Sequence, residues 1–195
     1  MQKSVENTAR LIARIIECAG KHFKTFGFRR ATVDEIAGEL RISKRTLYTL
    51  FASKEDLLRE VAWNDTLRSI QVFSNSAPQA EAPEQVLLTF CRFVLEDRNR
   101  NGKSGVFAGI FSDDMDLRDA YRESLRRAIA GFYDQGVRNG GLKAIDPEFA
   151  SAIVFAMLAA AADRSSPRDD MKTMIDDAVR MIADAVAKWM PASER

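Results

Sequence analysis

Apolar side chains return every three or four residues along almost the whole of this 195-residue chain, and no stretch alternates with the two-residue period of a strand. That periodicity restricts the chain to an all-α fold. Ile12, Ile15, Ile16, Ala19, Phe23 and Phe26 mark a first helix, stopped by Gly27 as a C-terminal cap. After Ser53 a long helix runs past Phe73, and others follow over residues 84–98, 106–111, 117–138, 146–163 and 170–190. Asn139-Gly140-Gly141 closes one of these, and Asp146-Pro147 opens the next with a capping carboxylate and a proline in the first turn. About nine helices are expected.

The most informative segment is Thr32 to Leu58, TVDEIAGELRISKRTLYTLFASKEDLL. Val33, Ile36, Ala37 and Leu40 form an apolar stripe, with Thr32 and Glu35 spaced as a capping box. Arg41-Ile42-Ser43 breaks the pattern, and Ser43 is placed to cap a second short helix. At about 100° per residue, Leu47, Leu50 and Phe51 gather on one side of it. Arg45 and Thr49 point the other way, flanked by Thr46 and Tyr48. An apolar anchor behind a cationic, hydroxyl-bearing face suits the major groove of DNA, so the segment reads as a helix-turn-helix. Arg45 can fork onto guanine, and Thr46 and Thr49 can meet bases or a thymine methyl. Tyr48, Lys44 and Lys54 can donate to phosphate oxygens. Thr32 and Ser43, at the two helix starts, complete the DNA-contact candidates.

Phe26-Gly27-Phe28, Thr32-Val33, Ile36-Ala37, Ser43-Lys44, Thr46-Leu47-Tyr48, Phe51, Ser53-Lys54-Glu55 and Leu57-Leu58 together resemble the N-terminal domain of the tetracycline-repressor (TetR) family of bacterial transcription regulators. The resemblance covers about a quarter of the chain. It implies a DNA-binding head at residues 1–53, continuing into the helix that starts at Lys54, and a helical effector-binding and dimerisation domain over 54–195. Two positions depart from the family pattern. Arg41 stands where glycine is frequent, so the turn either avoids positive φ or tolerates its cost. Arg45 stands where glycine is common, so an operator sequence cannot be carried over.

Charge agrees with a split of roles. The formal net charge is +1, yet residues 1–60 hold 12 Lys/Arg against 8 Asp/Glu, while the remainder holds 17 against 20. A basic head on a mildly acidic body fits a DNA reader joined to a non-DNA domain. No apolar run approaches the roughly 20 residues of a membrane span, and the opening residues lack a signal-peptide core, so the expected location is cytoplasmic. Cys18 and Cys91 fall inside helical apolar patterns and read as buried small side chains. Cys18 and His22 are four apart and could form one edge of a metal site, but no second pair completes it, so no metal or other cofactor is expected. His22 reads as a polar or interface residue. No catalytic set or cofactor loop is visible, so the chain is not expected to be an enzyme. Asp113, Asp114 and Asp116 could hold a cation, but acidic residues at a helix start are expected for capping alone.

The last two expected helices are apolar on more than one side, so they are buried in one core or shared between subunits. A single recognition helix reads few bases, and two copies about 34–36 Å apart read an inverted repeat. The resemblance implies a homodimer joined through these helices. Its seam would use Ile153, Met157, Ala160 and Ala161 from one helix and Met174, Ile175, Ala178, Ile182 and Val186 from the other. The middle of the chain is rich in aromatic residues, each readable as plain core. As a group, Trp63, Phe90, Phe93, Phe107, Phe111, Tyr121, Phe132 and Phe155 are the candidates for the small-molecule pocket that the resemblance implies. Their apolar character points to a hydrophobic effector. The expected function is a sequence-specific transcriptional regulator, a repressor released by that effector. An activator, a regulator controlled by a protein partner or, less favoured, a helical-bundle enzyme are the alternatives.

Overall fold

The computed structural model describes residues 2–76, 83–101, 108–162 and 168–186. They form eight α-helices and one short 3-10 turn at Ala108–Phe111, and none of the described residues lies in a β-strand. In chain order the helices are α1 Gln2–Phe26, α2 Val33–Leu40, α3 Lys44–Leu50, α4 Lys54–Ser76, α5 Pro83–Asn101, α6 Met115–Arg138, α7 Pro147–Ala162 and α8 Arg168–Val186. The continuation expected after Val186, including Trp189, lies outside the described residues. Among the described residues no helix is long and apolar enough to cross a membrane.

The chain divides into two compact units. One comprises Met1–Arg68 with Gly109–Ser124, the other Ser69–Ala108 with Leu125–Arg195. The expected boundary between residues 53 and 54 therefore closes the helix-turn-helix without closing a compact unit. Both α4 and α6 contribute to each unit.

In the first unit, Ile15, Ala19 and Phe23 of α1 pack with Ile36 of α2, Leu47 of α3, and Leu57 and Val61 of α4, all essentially inaccessible to solvent. Burying each of these side chains other than that of Ala19 stabilises by about 1.5–3 kcal/mol. Phe26, expected in the same stripe, is instead 56% exposed because the helix ends there. Gly27 turns the chain with φ +82, and its N–H donates to the Phe23 carbonyl at 3.0 Å. A Cβ at Gly27 would also meet Asp114 Oδ2 at 2.9 Å, so glycine is required twice over. Asp114 caps α6, accepting from the Leu117 N–H at 3.1 Å, and its other oxygen accepts from the Phe28 N–H at 2.9 Å. Arg29 pairs with Asp116 at 3.1 Å. Capping thus accounts for Asp114, as expected, and an ion pair accounts for Asp116.

In the second unit, Phe73, Phe90, Phe93 and Phe132 pack ring on ring, with centroids 4.8 Å apart for Phe90–Phe132 and 5.3 Å for Phe73–Phe90. Such aromatic pairs add about 0.5–1.5 kcal/mol beyond area burial. Helices α5, α7 and α8 pack on one another. The turn after α6, with Gly140 at φ +82, leads to Lys143, whose ammonium donates to the Ala185 carbonyl at 3.0 Å. A cation is thereby placed at the end of α8, where the helix dipole favours it. Asp146 caps α7, accepting from the Phe149 N–H at 2.8 Å, with Pro147 in the first turn as the sequence suggests.

Candidate nucleic-acid interface

Three local devices set the geometry of α2 and α3. The Thr32 hydroxyl accepts from the Glu35 N–H at 3.2 Å while the Glu35 carboxylate accepts from the Thr32 N–H at 2.9 Å, a complete capping box. These bonds to Thr32 hold the Glu35 carboxyl below its ordinary pKa. At the other end Arg41 takes φ 55 and ψ 42, with its N–H donating to the Gly38 carbonyl at 3.1 Å and the Ile42 N–H to the Ala37 carbonyl at 3.0 Å. This is a Schellman turn with arginine at the left-handed position where glycine is usual. Of the two possibilities left by the sequence, the turn tolerates positive φ. The Ser43 hydroxyl then caps α3, accepting from the Thr46 N–H at 2.9 Å.

Leu47 is fully buried and Phe51 nearly so, and Leu50 is half-buried. That anchoring turns Ser43, Lys44, Arg45 and Thr49 to solvent, with Tyr48 43% exposed and Thr46 half-buried. The Thr49 hydroxyl is occupied, donating to the Arg45 carbonyl at 2.9 Å, and the Ser43 and Thr46 hydroxyls bond to each other at 2.7 Å. The Thr49 proton is thus committed, as is one of the two protons of the Ser43–Thr46 pair, while each hydroxyl keeps a lone pair to accept with. Arg45 is thus the exposed group on this face with a planar fork of five N–H donors.

The two candidate lysines have partners within the first unit. Lys44 bonds to Asp34 at 2.9 Å, and that carboxylate holds the ammonium above its ordinary pKa. Both groups are largely exposed, so a phosphate can compete for the lysine. Lys54 is more constrained: its ammonium donates to the Phe28 carbonyl and lies 4.3 Å from the centroid of the Phe28 ring. It therefore fastens the start of α4 to the segment after α1, a role invisible in the sequence because the partner is 26 residues away. The first turn of α4 is completed by Ser53, which accepts from the Asp56 N–H at 3.0 Å, and by Asp56, which accepts from the Ala52 N–H at 3.1 Å.

The expected pocket residues fall in both compact units. Phe90, Phe93 and Phe132 belong to the aromatic cluster of the second unit, and half-buried Phe155 lies on α7 of that unit. Trp63 and Tyr121 belong to the first unit, where the Tyr121 hydroxyl donates to Asp65. Asp65 also holds Lys24 at 2.6 Å. Burial, with Asp65 beside it, pushes the Tyr121 phenol well above its ordinary pKa. Phe107 lies outside the described residues, as does the side chain of Phe111. An open depression of about 340 Å³ in the first unit is lined by Phe26, Arg29, Arg30, Asp114 and Asp116 among others, a mixed polar surface unlike the expected apolar cavity.

The candidate dimer residues also divide. Ile175, Ile182 and Val186 are buried within the chain. Ile153, Met157, Ala161 and Ala178 are half-buried and Ala160 is exposed, while the side chain of Met174 lies outside the described residues. Phe149 on α7 and Met181 on α8, each 61% exposed, extend the outward apolar surface and were missed by periodicity alone.

Residues 15–61 match the family described as bacterial regulatory proteins, tetR family. An uncharacterised HTH-type transcriptional regulator of Bacillus subtilis (strain 168), YhgD, is 23% identical over 151 residues, covering 73% of this chain and 78% of that protein. Among solved structures, a tetR family transcription regulator from Shewanella sp. PV-4 shares the fold with TM-score 0.59 and 19% identity, over 91% of this chain and 98% of that one. RolR, in a structure without ligand, does so with TM-score 0.56 and 20% identity, over 87% and 89%.

Proposed function

We propose that this chain, whose residues 15–61 match the tetR family, is a DNA-binding transcriptional regulator that represses transcription as a homodimer on an inverted-repeat operator and is released by a small apolar effector. The observation that carries the DNA-reading part is the orientation of α3, with Leu47 and Phe51 buried and Arg45 turned outward. In this proposal Arg45 reads a base, Thr46 and Thr49 contact bases by their methyl groups and free lone pairs, and Tyr48 and Lys44 hold phosphates. Lys54 positions α4 and adds charge near the phosphate backbone. Thr32 and Ser43 act mainly as caps.

Dimerisation is supported by the outward apolar residues of α7 and α8. Phe149, Ala156 and Ala160 are exposed along α7 and Met181 on α8, a surface whose burial between two copies would be favourable. Effector binding is supported by the phenylalanine cluster of the second unit. Phe93 and Phe132 keep some exposure where Phe90 has none, so a ligand would enter by displacing those two rings. An effector that favours the DNA-incompetent arrangement by about 1.4 kcal/mol weakens operator binding about tenfold.

Selection of bound fragments from genomic DNA, followed by binding titrations on the enriched site, tests the proposal. Enrichment of an inverted repeat, with light scattering giving a dimeric mass at micromolar concentration, is the expected result. A monomeric mass, or equal affinity for every duplex, would overturn it. Opposed binding of operator and of compounds that fit the aromatic cluster tests the release step.

A further inference from the structure

Cys18 and His22 lie one turn apart on α1, and Glu39 reaches them from the last turn of α2. The thiol, imidazole and carboxylate each offer one ligand atom, and the three atoms lie within 4.8 Å of one another. Cys18 is buried, the His22 side chain is 13% exposed, and the carboxylate of Glu39 opens to solvent. The His22 Nε2 sits 2.8 Å from Glu39 Oε2, and its Nδ1 is buried without a hydrogen-bond partner.

We propose that Cys18, His22 and Glu39 form a binding site for a thiophilic divalent transition-metal ion of the Zn²⁺ class, joining α1 to α2 behind the DNA-reading helix. The donor set has the chemistry for it: thiolate and imidazole select zinc-like ions over Mg²⁺ or Ca²⁺, and one carboxylate with one thiolate neutralises a double charge. The spacing is close to what is needed. With metal–sulfur bonds of about 2.3 Å and metal–nitrogen or –oxygen bonds of about 2.0–2.2 Å, tetrahedral donors stand about 3.3–3.8 Å apart. Reaching that spacing takes side-chain adjustment, the His22–Glu39 pair opening from 2.8 Å as the ion replaces their hydrogen bond, with Cys18 and His22 already one turn apart on α1.

Packing does not explain the trio. A buried thiol and a nearly buried imidazole at a helix–helix contact carry a desolvation cost that aliphatic side chains would avoid. Ligation takes the thiolate, so binding an ion releases the Cys18 proton. Affinity therefore rises with pH. Three protein ligands leave a fourth position for water, which marks an exchangeable site rather than a closed structural one. Glu39 is two residues from Arg41, so an ion there acts next to the turn that delivers α3.

Titration of the reduced full-length protein with Co²⁺, followed by displacement with Zn²⁺, tests the site directly. One ion per chain should produce a thiolate-to-Co²⁺ charge-transfer band together with the visible bands of a tetrahedral centre. Cys18→Ser should abolish the charge-transfer band, and Cys91→Ser, altering a fully buried thiol of the other unit, should leave it intact. Glu39→Ala alters an exposed helix position and should lower Zn²⁺ affinity at least about tenfold, since even the loss of an outer partner of a ligand costs about 10–100-fold. Absence of the charge-transfer band from the native protein, its persistence in Cys18→Ser, or unchanged Zn²⁺ affinity in Glu39→Ala would overturn the assignment.

Discussion

Replacing Arg45 separates reading from folding. The side chain is exposed, and its neighbour Thr49 uses the Arg45 carbonyl rather than the guanidinium, so Arg45→Ala should change stability by no more than about 0.5 kcal/mol. A bidentate contact to guanine contributes about 1–3 kcal/mol of discrimination. A dimer on two half-sites loses it twice, so operator affinity should fall by about 2–6 kcal/mol, between roughly 30-fold and 10⁴-fold. Arg45→Lys keeps the charge without the fork, so it should lose base preference while the salt dependence of binding stays close to native. Fluorescence anisotropy on the selected operator and on variants mutated one base pair at a time, at several salt concentrations, measures both quantities. If Arg45→Ala weakens every sequence equally and flattens the salt slope, the guanidinium holds a phosphate. If affinity and preference are both unchanged, α3 does not read the groove with this face.

Other outcomes follow from particular residues. Arg41→Gly relieves a left-handed residue and should raise stability by about 0.5–1 kcal/mol in chemical denaturation, despite the greater freedom of glycine in the unfolded chain. Glu35 has a lowered pKa in the folded state, so its contribution is present above its ordinary value of 4.5 and is lost as pH falls through the lower folded value; Glu35→Gln should flatten the acid side of the stability profile. Ala160→Asp places a charge on an exposed position of α7 and should lower the mass seen by light scattering without unfolding the protomer. Ile182→Ala, at a fully buried position, should cost about 2–5 kcal/mol of thermal or chemical stability instead.

Local chemistry was legible in the sequence, and partnerships across distance were not. The Thr32–Glu35 box, the Ser43 cap, the Gly27 stop and the Asp146-Pro147 start each depend on residues within a few positions, so spacing alone predicts them. Leu47 and Phe51 face inward because a short helix between two turns has one apolar side. By contrast, the pairing of Lys54 with Phe28 and that of His22 with Glu39 join residues 26 and 17 positions apart, and nothing in either segment names the other. Helix α7 shows why the seam was harder to read. It is apolar almost all round, so periodicity cannot say which side faces its own core. The structure sends Val154 and Leu158 inward and leaves Phe149, Ala156 and Ala160 outside. The aromatic residues of the middle region carried no partner information either, and they divide between two units.

The bond from Asp114 to the Phe28 amide bears on how such a protein can be dissected or recombined. A helix-turn-helix looks like a cassette, to be cut after the first turn of α4 and grafted onto another body. Here a stretch more than 80 residues downstream stoppers the loop behind that cassette, and Gly27 leaves room for the carboxylate that does it. A chimera that exchanges residues 1–68 alone would strand an amide and an arginine, whereas one that also carries 109–124 would keep the seal.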